Sequence, residues 1–290
     1  MNINFNVNKL PVICYKLNDF KSMDIKSLRY LPDKFIKSQP IGSYEDFMQK
    51  LDNKYGNINL KKIIRKCKKH IIGDGLSGNV YSIPGIQDYV LKVDKLAKIP
   101  FFSPVSPLKK VKNELYCYNF GQRVASNDEG IDILMRCNGK SHSVSKWVDA
   151  YKEDIPLTVK EAEYFVDKSL KAVSEFPQET FDDFARKIYF LKIVAKKEPD
   201  TFNPNNILID YDKKVINLVD ISINKTVPTR FNIKKLMAYP LYDEHLKDLY
   251  IELLDKNRID KYDYYQKVIT DKCLLAAKKC GLADYEDKIL

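Results

Sequence analysis

The 290-residue chain lacks several features that would assign it to a class of protein at once. No apolar run approaches the ~18 residues that a membrane-spanning helix requires, so we expect no membrane span. Its opening residues do not combine a basic segment with a continuous apolar one, and we therefore expect no cleaved secretory signal. No two of the six cysteines have CxxC spacing and the three histidines are scattered, so the sequence carries no zinc-site signature.

The amino-acid composition narrows the class of protein further. With only 10 glycines and 13 prolines the chain is neither collagen-like nor of low complexity, and 44% hydrophobic residues indicate a globular protein. The wide spacing of the cysteines favours buried free thiols and a reducing compartment. Lysine and arginine number 49 against 39 acidic residues, a net charge of +10, which favours anionic partners without choosing among nucleotides, nucleic acids and acidic protein surfaces.

We predict three segments along the chain. Residues 1–70 form an N-terminal extension for export or partner binding, with helical patterns at 44–51 and 60–70. The second of these patterns is rich in lysine, which is typical of a solvated helix face or, alternatively, of an anion-binding patch. Residues 71–136 form a small β-rich lobe, and residues 137–290 a larger helical lobe.

Within these lobes the hydrophobic periodicity predicts individual elements. Strand patterns occupy 71–80, 89–93 and 131–135, and 109–120 has the spacing of a helix. Asn138-Gly139 is a turn signal, and Thr158 with Glu161 forms a capping box that starts a helix. Two short strands at 207–210 and 215–220 predict a β-hairpin, and the helical tail ends near Gly281.

The first motif that can carry chemistry is the G-x-G-x-x-G pattern of Gly73, Gly75 and Gly78. A dinucleotide-binding fold would place these glycines between a strand and a helix, but here strand patterns lie on both sides. A glycine loop between two strands is typical of the hairpin with which protein kinases cover a nucleotide, because bare backbone can approach the phosphates. In such a hairpin Val80 packs on the adenine ring.

Lys92 is a charged residue inside the apolar strand pattern Val90-Leu91-Lys92-Val93. It is either a lysine that reaches out to solvent or the lysine that holds the α- and β-phosphates of ATP. The second role requires a glutamate on the following helix, and Glu114 occupies that place in the predicted helix at 109–120. Taken alone, Glu114 is equally an exposed helix carboxylate.

A second cluster surrounds the predicted hairpin. Phosphoryl transfer needs a carboxylate for the hydroxyl group, an amide oxygen on Mg²⁺ and a second carboxylate that bridges the metal to the phosphates. Asp200, then Asn205 or Asn206, and finally Asp220 supply these groups in that order. Asn205 has the usual spacing from Asp200, whereas Asn206 needs one inserted residue; we favour Asn206, because Asn-Ile-Leu matches the entry into the strand.

Together these motifs resemble those of the OspG/NleH-type secreted effector kinases of enteric pathogens. The resemblance covers about residues 71–224, including Asp220-Ile221-Ser222, where ordinary kinases have Asp-Phe-Gly. The other matching stretches run from Gly73 to Tyr81, from Val90 to Lys92, from Glu114 to Asn119, from Leu134 to Gly139 and from Asp200 to Leu208.

The resemblance implies an α+β, bilobal protein-kinase-like fold with a small β-rich N-lobe and a shortened α-rich C-lobe. It implies an enzyme that transfers the γ-phosphate of ATP, with Mg²⁺, to serine or threonine of a host protein. The implied catalytic residues are Lys92, Glu114 and Asp200, the nucleotide-binding residues are Gly73, Gly75, Gly78, Val80, Lys92 and Met135, and the metal ligands are Asn206 and Asp220.

The resemblance also implies where such a protein acts. It predicts secretion by a bacterial secretion system into the host cytoplasm and stimulation by a host partner, with a ubiquitin-conjugating enzyme charged with ubiquitin as the candidate. We expect no nucleic-acid partner, because the lysines are dispersed and show no pattern of aromatic platforms.

Departures from ordinary kinases leave two alternatives open. Glu198-Pro199 stand where His-Arg usually precedes the catalytic aspartate, and no Ala-Pro-Glu follows Asp220. These departures are compatible with a pseudokinase that acts as a binding module. A small-molecule phosphotransferase of the aminoglycoside-kinase kind shares the fold, but its His-Gly-Asp loop and large helical insertion are absent from the sequence.

Overall fold

The computed structural model of the chain divides into a sheet-rich region followed by a helical region. It describes residues 44–56, 59–75, 78–99, 103–111, 123–141, 158–194, 206–219, 232–243, 248 and 252–287. The α+β fold class that we predict is therefore confirmed, with an antiparallel sheet in the N-terminal part and helices in the C-terminal part.

The sheet-rich region begins with the two predicted helices. Helix α1 comprises Tyr44–Tyr55 and helix α2 comprises Leu60–Cys67. The side chain of Asn59 caps α2 by accepting a hydrogen bond from the backbone N–H of Lys61. Six strands follow, namely β1 (Ile71–Asp74), β2 (Gly78–Ile83), β3 (Ile86–Asp94), β4 (Lys109–Lys110), β5 (Arg123–Ser126) and β6 (Ile131–Met135).

These strands form one antiparallel sheet with the order β1-β2-β3-β6-β5-β4. Strands β3 and β6 are central, and β1 and β4 are the edges. The predicted helix at 109–120 is wrong at its start, because Lys109 and Lys110 form β4 and pair with Ser126 and Ala125 of β5. Ion pairs to distant residues favour this placement: Lys109 contacts Asp128 at 2.6 Å and Lys110 contacts Glu45 of α1 at 2.7 Å.

Helices α1 and α2 cover one face of this sheet. Because side chains alternate along a strand, Tyr89 and Leu91 of β3 and Ile131 and Ile133 of β6 point to the helices, and these four residues are at most 1% exposed. Tyr89 of β3 meets the ring of Phe47 edge-on at 5.2 Å, and its hydroxyl donates a hydrogen bond of 2.6 Å to the carboxylate of Asp46. Burial alone would raise the pKa of Asp46, but hydrogen bonds from Tyr89 and Lys50 lower it below its ordinary value.

The two helices before residue 71 thus share one hydrophobic core with the sheet. Their contribution is Phe47 and Tyr55 from α1 and Ile63, Ile64 and Cys67 from α2. The boundaries that we predict for the extension and the two lobes remain predictions.

The helical region starts from a short linker after β6. Strand β7 (Lys140–Ser141) is followed by α3 (Val159–Tyr164), which continues through the π-helical turn Phe165–Leu170 into α4 (Lys171–Ser174). The predicted capping box is present: the Thr158 hydroxyl accepts a hydrogen bond from the Glu161 N–H, and the Glu161 carboxylate accepts one from the Thr158 N–H.

Helix α5 (Gln178–Tyr189) continues into a π-helical turn at Phe190–Val194 and precedes the predicted hairpin. The hairpin consists of β8 (Ile207–Asp210) and β9 (Val215–Leu218), and β7 pairs with β8 to form a second small sheet. After a π-helical turn at Lys234–Ala238, helix α6 (Lys256–Lys279) packs against α5, and Gly281 follows it in the left-handed conformation.

Hydrogen bonds and a close backbone approach connect the linker between β6 and β7 to the helical region. Gly139 has φ of 123°, and a Cβ there would lie 2.8 Å from the backbone of Ile209, so only glycine fits. The buried ammonium of Lys187 donates to the carbonyl of Ile216 at 2.7 Å, and the amide of Asn217 donates to the carbonyl of Asn138 at 2.9 Å. Helix α5, β9 and the linker are therefore joined by buried hydrogen bonds.

Three of the cysteines confirm the expectation of buried free thiols. Cys67, Cys273 and Cys280 are buried and form no disulfide, and burial raises the pKa values of the Cys67 and Cys280 thiols to about 11. No helix within the described ranges has the length and hydropathy to cross a membrane.

We predict that Phe47→Ala destabilises the whole sheet-rich region. Phe47 is 1% exposed and contacts Tyr89, so its truncation should lower the free energy of unfolding by about 3–5 kcal/mol. Denaturant unfolding of the full chain measures this effect. The control Gln49→Ala changes an exposed residue of the same helix and should stay within about 0.5 kcal/mol. Similar small effects for both variants would show that α1 is not part of the core.

Candidate active site

Lys92 lies in the middle of the sheet, on the face that α1 and α2 do not cover. In the ladder between β2, β3 and β6, Val80, Lys92 and Asp132 stand directly opposite one another. Residues opposite one another in an antiparallel ladder share a face, with Cβ atoms ~5 Å apart. The proposed adenine-contacting valine and the proposed phosphate-binding lysine are thus cross-strand neighbours, and both are half-buried.

The next rung of the same face carries two apolar residues beside a serine. Ser82, Val90 and Leu134 stand opposite one another there, and Val90 is 5% exposed. Leu134 is a site residue that sequence reasoning missed, although counting alternate residues back from the end of β6 could have found it. It offers an apolar contact beside Lys92.

Met135 lies on the other face of the sheet. It pairs with Tyr89 and packs against the core formed with α1 and α2. A nucleotide contact from Met135 therefore has to come from its main chain, because its side chain points away from Lys92. Its assignment to the nucleotide site remains a prediction.

The three glycines of the G-x-G-x-x-G motif differ in what the fold requires of them. A Cβ on Gly78 would lie 2.5 Å from the carbonyl oxygen of Val93, so glycine is needed there for β2 to approach β3. At Gly73 and Gly75 the nearest atoms would be 3.6 and 3.5 Å from a Cβ, which is ordinary contact, and neither residue has positive φ. The Gly75 N–H closes the loop by donating to the Gly78 carbonyl at 3.0 Å.

Asp132 is a second residue that sequence reasoning missed. Its carboxylate lies 3.4 Å from the guanidinium of Arg123 on β5, and both side chains are about one-quarter exposed. Burial raises the pKa of Asp132 above its ordinary value, while the charges of Arg123 and Lys92 act in the opposite direction. The site face thus carries two cations and one carboxylate in neighbouring strands.

The hairpin β8–β9 holds Asn206, one of the two predicted metal ligands. Asn206 is 6% exposed, lies directly before β8, and its main-chain carbonyl accepts a hydrogen bond of 2.9 Å from the Val219 N–H. Ile207 and Leu218 form the first rung of the hairpin. Asn206 is therefore held beside Val219, and Asp220 is the next residue along the chain.

Four predicted site residues lie outside the described residues: Glu114, Asp200, Asn205 and Asp220. Within the described ranges, no group of three or more histidine, cysteine, aspartate or glutamate residues could hold a metal ion. The predicted Mg²⁺ site therefore depends on Asn206 together with residues outside those ranges.

The arrangement defines the class of fold. A glycine hairpin joins the first two strands of an antiparallel sheet, the third strand carries a lysine in its centre, and a helical region with a β-hairpin follows. These are the positions that the glycine-rich loop and the phosphate-binding lysine occupy in a protein-kinase-like fold.

Comparison with known proteins adds a structural likeness. No family model matches the chain, and no curated protein matches it. Among solved structures, it is similar to the pseudokinase domain of BIR2, an immune regulator of the RLK/Pelle family, with 10% identity and a TM-score of 0.37. The match covers 86% of this chain and 99% of that domain. A likeness this distant says nothing about activity.

We predict that two glycine substitutions in the hairpin differ in their effect on the free energy of unfolding. Gly78→Ala should lower the free energy of unfolding by about 1–3 kcal/mol, because its methyl group meets the backbone of Val93. Gly73→Ala is the matched control and should change it by less than about 0.5 kcal/mol. Chemical denaturation compares the two, and a larger loss for Gly73→Ala would contradict this account of the loop.

We also predict how Asp132→Asn changes stability with pH. Because burial raises the folded-state pKa of Asp132, ionisation of this carboxyl opposes folding as the pH rises through the acid range. The unfolding free energy of Asp132→Asn, relative to that of the unchanged chain, should therefore increase over that range. Asp212→Asn, at an exposed aspartate, is the reference. A difference that falls with rising pH would mean that pairing with Arg123 outweighs burial.

Proposed function

We propose that the chain is an effector-type protein kinase that transfers the γ-phosphate of ATP to serine or threonine of a host protein. The observation that carries the proposal is the placement of Lys92 directly opposite Val80 on the face of the sheet that α1 and α2 do not cover. A lysine at this position has the glycine hairpin beside it and the apolar Val90 and Leu134 on the next rung, which suits the phosphates and the base of one nucleotide.

The glycines support nucleotide binding in a second way. Gly78 is explained by the packing of β2 against β3, whereas no close contact or positive φ explains Gly73 and Gly75. Bare backbone at these two positions fits a loop that lies against phosphate groups. The Cβ atoms would otherwise stand between the loop and its ligand.

Each residue then has a defined role in the proposed site. Lys92 binds the α- and β-phosphates, Glu114 orients Lys92, and Asp200 accepts the hydroxyl proton. We favour Asn206 over Asn205 as the amide ligand because Asn-Ile-Leu matches the entry into the strand, and the main chain of Asn206 pairs with Val219, the residue that precedes Asp220. Bound Mg²⁺ would neutralise charge on the phosphates between Asn206 and Asp220.

The biological setting of the proposal comes from the resemblance to effector kinases. We propose secretion by a bacterial secretion system into the host cytoplasm. No arginine directly precedes Asp200 to receive an activating phosphate, so a self-contained phosphorylation switch is disfavoured. A host partner, such as a ubiquitin-conjugating enzyme charged with ubiquitin, would instead favour the active arrangement by binding it preferentially.

A pseudokinase that acts as a binding module is the second candidate. Glu198-Pro199 replace the usual His-Arg, and the interval from Asp200 to Asn206 is one residue longer than usual. Both departures affect the loop that would accept the proton, and neither affects the glycine hairpin or Lys92. Nucleotide binding without transfer would follow from this alternative.

We predict that labelled ATP and Mg²⁺ distinguish the two candidates. The full chain should transfer label to protein, and host lysate should raise the rate at least about tenfold. Lys92→Ala should lower transfer at least about a hundredfold, because it removes a charge aimed at the phosphates. Asp200→Asn should lose transfer and still bind nucleotide, whereas Lys110→Ala, an exposed lysine at the sheet edge, is the unaffected control.

Two results would contradict the proposal. If the chain binds nucleotide without transferring label, with or without lysate, the pseudokinase function is the correct one. If Lys92→Ala retains most of the activity or of the nucleotide affinity, the site itself is assigned wrongly.

A further inference from the structure

The exposed side of α2 and the turn after it form a strongly cationic surface. Residues 53–73 contain no aspartate or glutamate. Lys50 of α1 is neutralised, because its ammonium contacts the carboxylates of Asp46 and Asp88 at 2.9 and 2.8 Å. In contrast, five exposed cations form no ion pair with a described residue: Lys62, Arg65, Lys66, Lys68 and Lys69. We call these five residues the cationic surface.

An exposed sheet edge adjoins this surface. Strand β1 is the outermost strand and has no neighbour on its outer side within the described ranges. Its first two residues, Ile71 and Ile72, are 52% and 50% exposed, and the ladder shifts at this point by a β-bulge, which re-aims side chains. The half-exposed Ile71 and Ile72 thus come shortly after the cations in the sequence.

The main chain of Ile71 points outward from the sheet, where no described residue pairs with it. The Ser82 N–H donates to the His70 carbonyl at 2.9 Å, and Ile71 stands opposite Tyr81 on the next rung. Because hydrogen-bonded and non-hydrogen-bonded rungs alternate in an antiparallel ladder, the N–H and C=O of Ile71 point away from β2. An extended segment can therefore hydrogen-bond there.

We propose that the cationic surface and the edge of β1 together bind an extended acidic peptide segment of a partner protein. Carboxylates of the segment face the five cations, its apolar side chains cover Ile71 and Ile72, and its backbone pairs with Ile71. Strand addition of this kind obtains affinity from main-chain hydrogen bonds and specificity from side chains. The inference concerns a surface outside the nucleotide site and does not rest on the proposed kinase activity.

A membrane surface fits these observations less well. Cations beside apolar side chains also bind anionic lipid. Inserting Ile71 and Ile72 into a bilayer, however, would bury the outward N–H and C=O of β1 without partners, and open sheet edges do not occur in lipid. A peptide strand satisfies these groups instead.

The test measures binding of a fluorescent peptide of alternating glutamate and isoleucine to the full chain without nucleotide. The comparison peptide carries lysine in place of glutamate. We expect affinity for the glutamate peptide alone, weakening as salt rises above ~0.1 M. The double variant Lys68→Glu/Lys69→Glu should bind at least about tenfold more weakly than the unchanged chain.

Matched variants separate the local surface from overall charge and from the main chain. Lys213→Glu/Lys278→Glu changes the net charge equally at exposed sites and should leave binding unchanged. Ile71→Pro removes the outward N–H at an edge strand, where proline is tolerated, and should weaken binding about fivefold, whereas Ile71→Val should not.

Each contrary outcome overturns the proposal. Equal weakening by both charge-reversal pairs would mean a non-specific effect of net charge. Unchanged binding to Ile71→Pro would exclude strand pairing. Binding to phosphatidylserine vesicles without binding to the peptide would show that this surface binds lipid. If the chain binds neither, the cations would be explained as residues that protect the edge strand against aggregation.

Discussion

The organisation of the N-terminal half depends on the alternation of side chains along β3. Tyr89 and Leu91 are each 1% exposed because they meet α1 and α2, and alternation then sends Lys92 to the opposite face. The same constraint applies to β6, where Ile133 joins the core and Asp132 joins Lys92. One buried face therefore determines what the other face presents.

The C-terminal half holds the β8–β9 hairpin in place by polar contacts inside an apolar core. Lys187 is 3% exposed and has its charge matched by Asp183 at 2.9 Å, while donating to the backbone of β9. Losing either partner would leave an unpaired buried charge, which costs far more than the pair itself contributes. Through Asn217 and Asn138 the same contacts reach the linker, so β9 and the segment leaving β6 keep a fixed relation.

Sequence patterns predicted the parts of this fold that local chemistry determines. The glycine motif, the hairpin, the capping box and the lysine within a strand all depend on neighbouring residues, and each element was found where the pattern indicated. Asp132 and Leu134 were missed because strand register, which sets them beside Lys92 and Val90, is a long-range property. Lys109 and Lys110 were assigned to a helix for the same reason, since pairing with β5 and distant acids outweighs local spacing.

The two-sided sheet has a consequence for how the protein tolerates change over evolution. Along β3, the residues that face the helices are constrained by packing in the core, and the residues between them are constrained by whatever occupies the other face. A drifting copy that no longer bound a ligand on that face would keep apolar residues at the buried positions 90 and 91 and accumulate changes at position 92. Conservation at position 92, compared with that at positions 90 and 91, would then record whether the lineage still uses this face of the sheet.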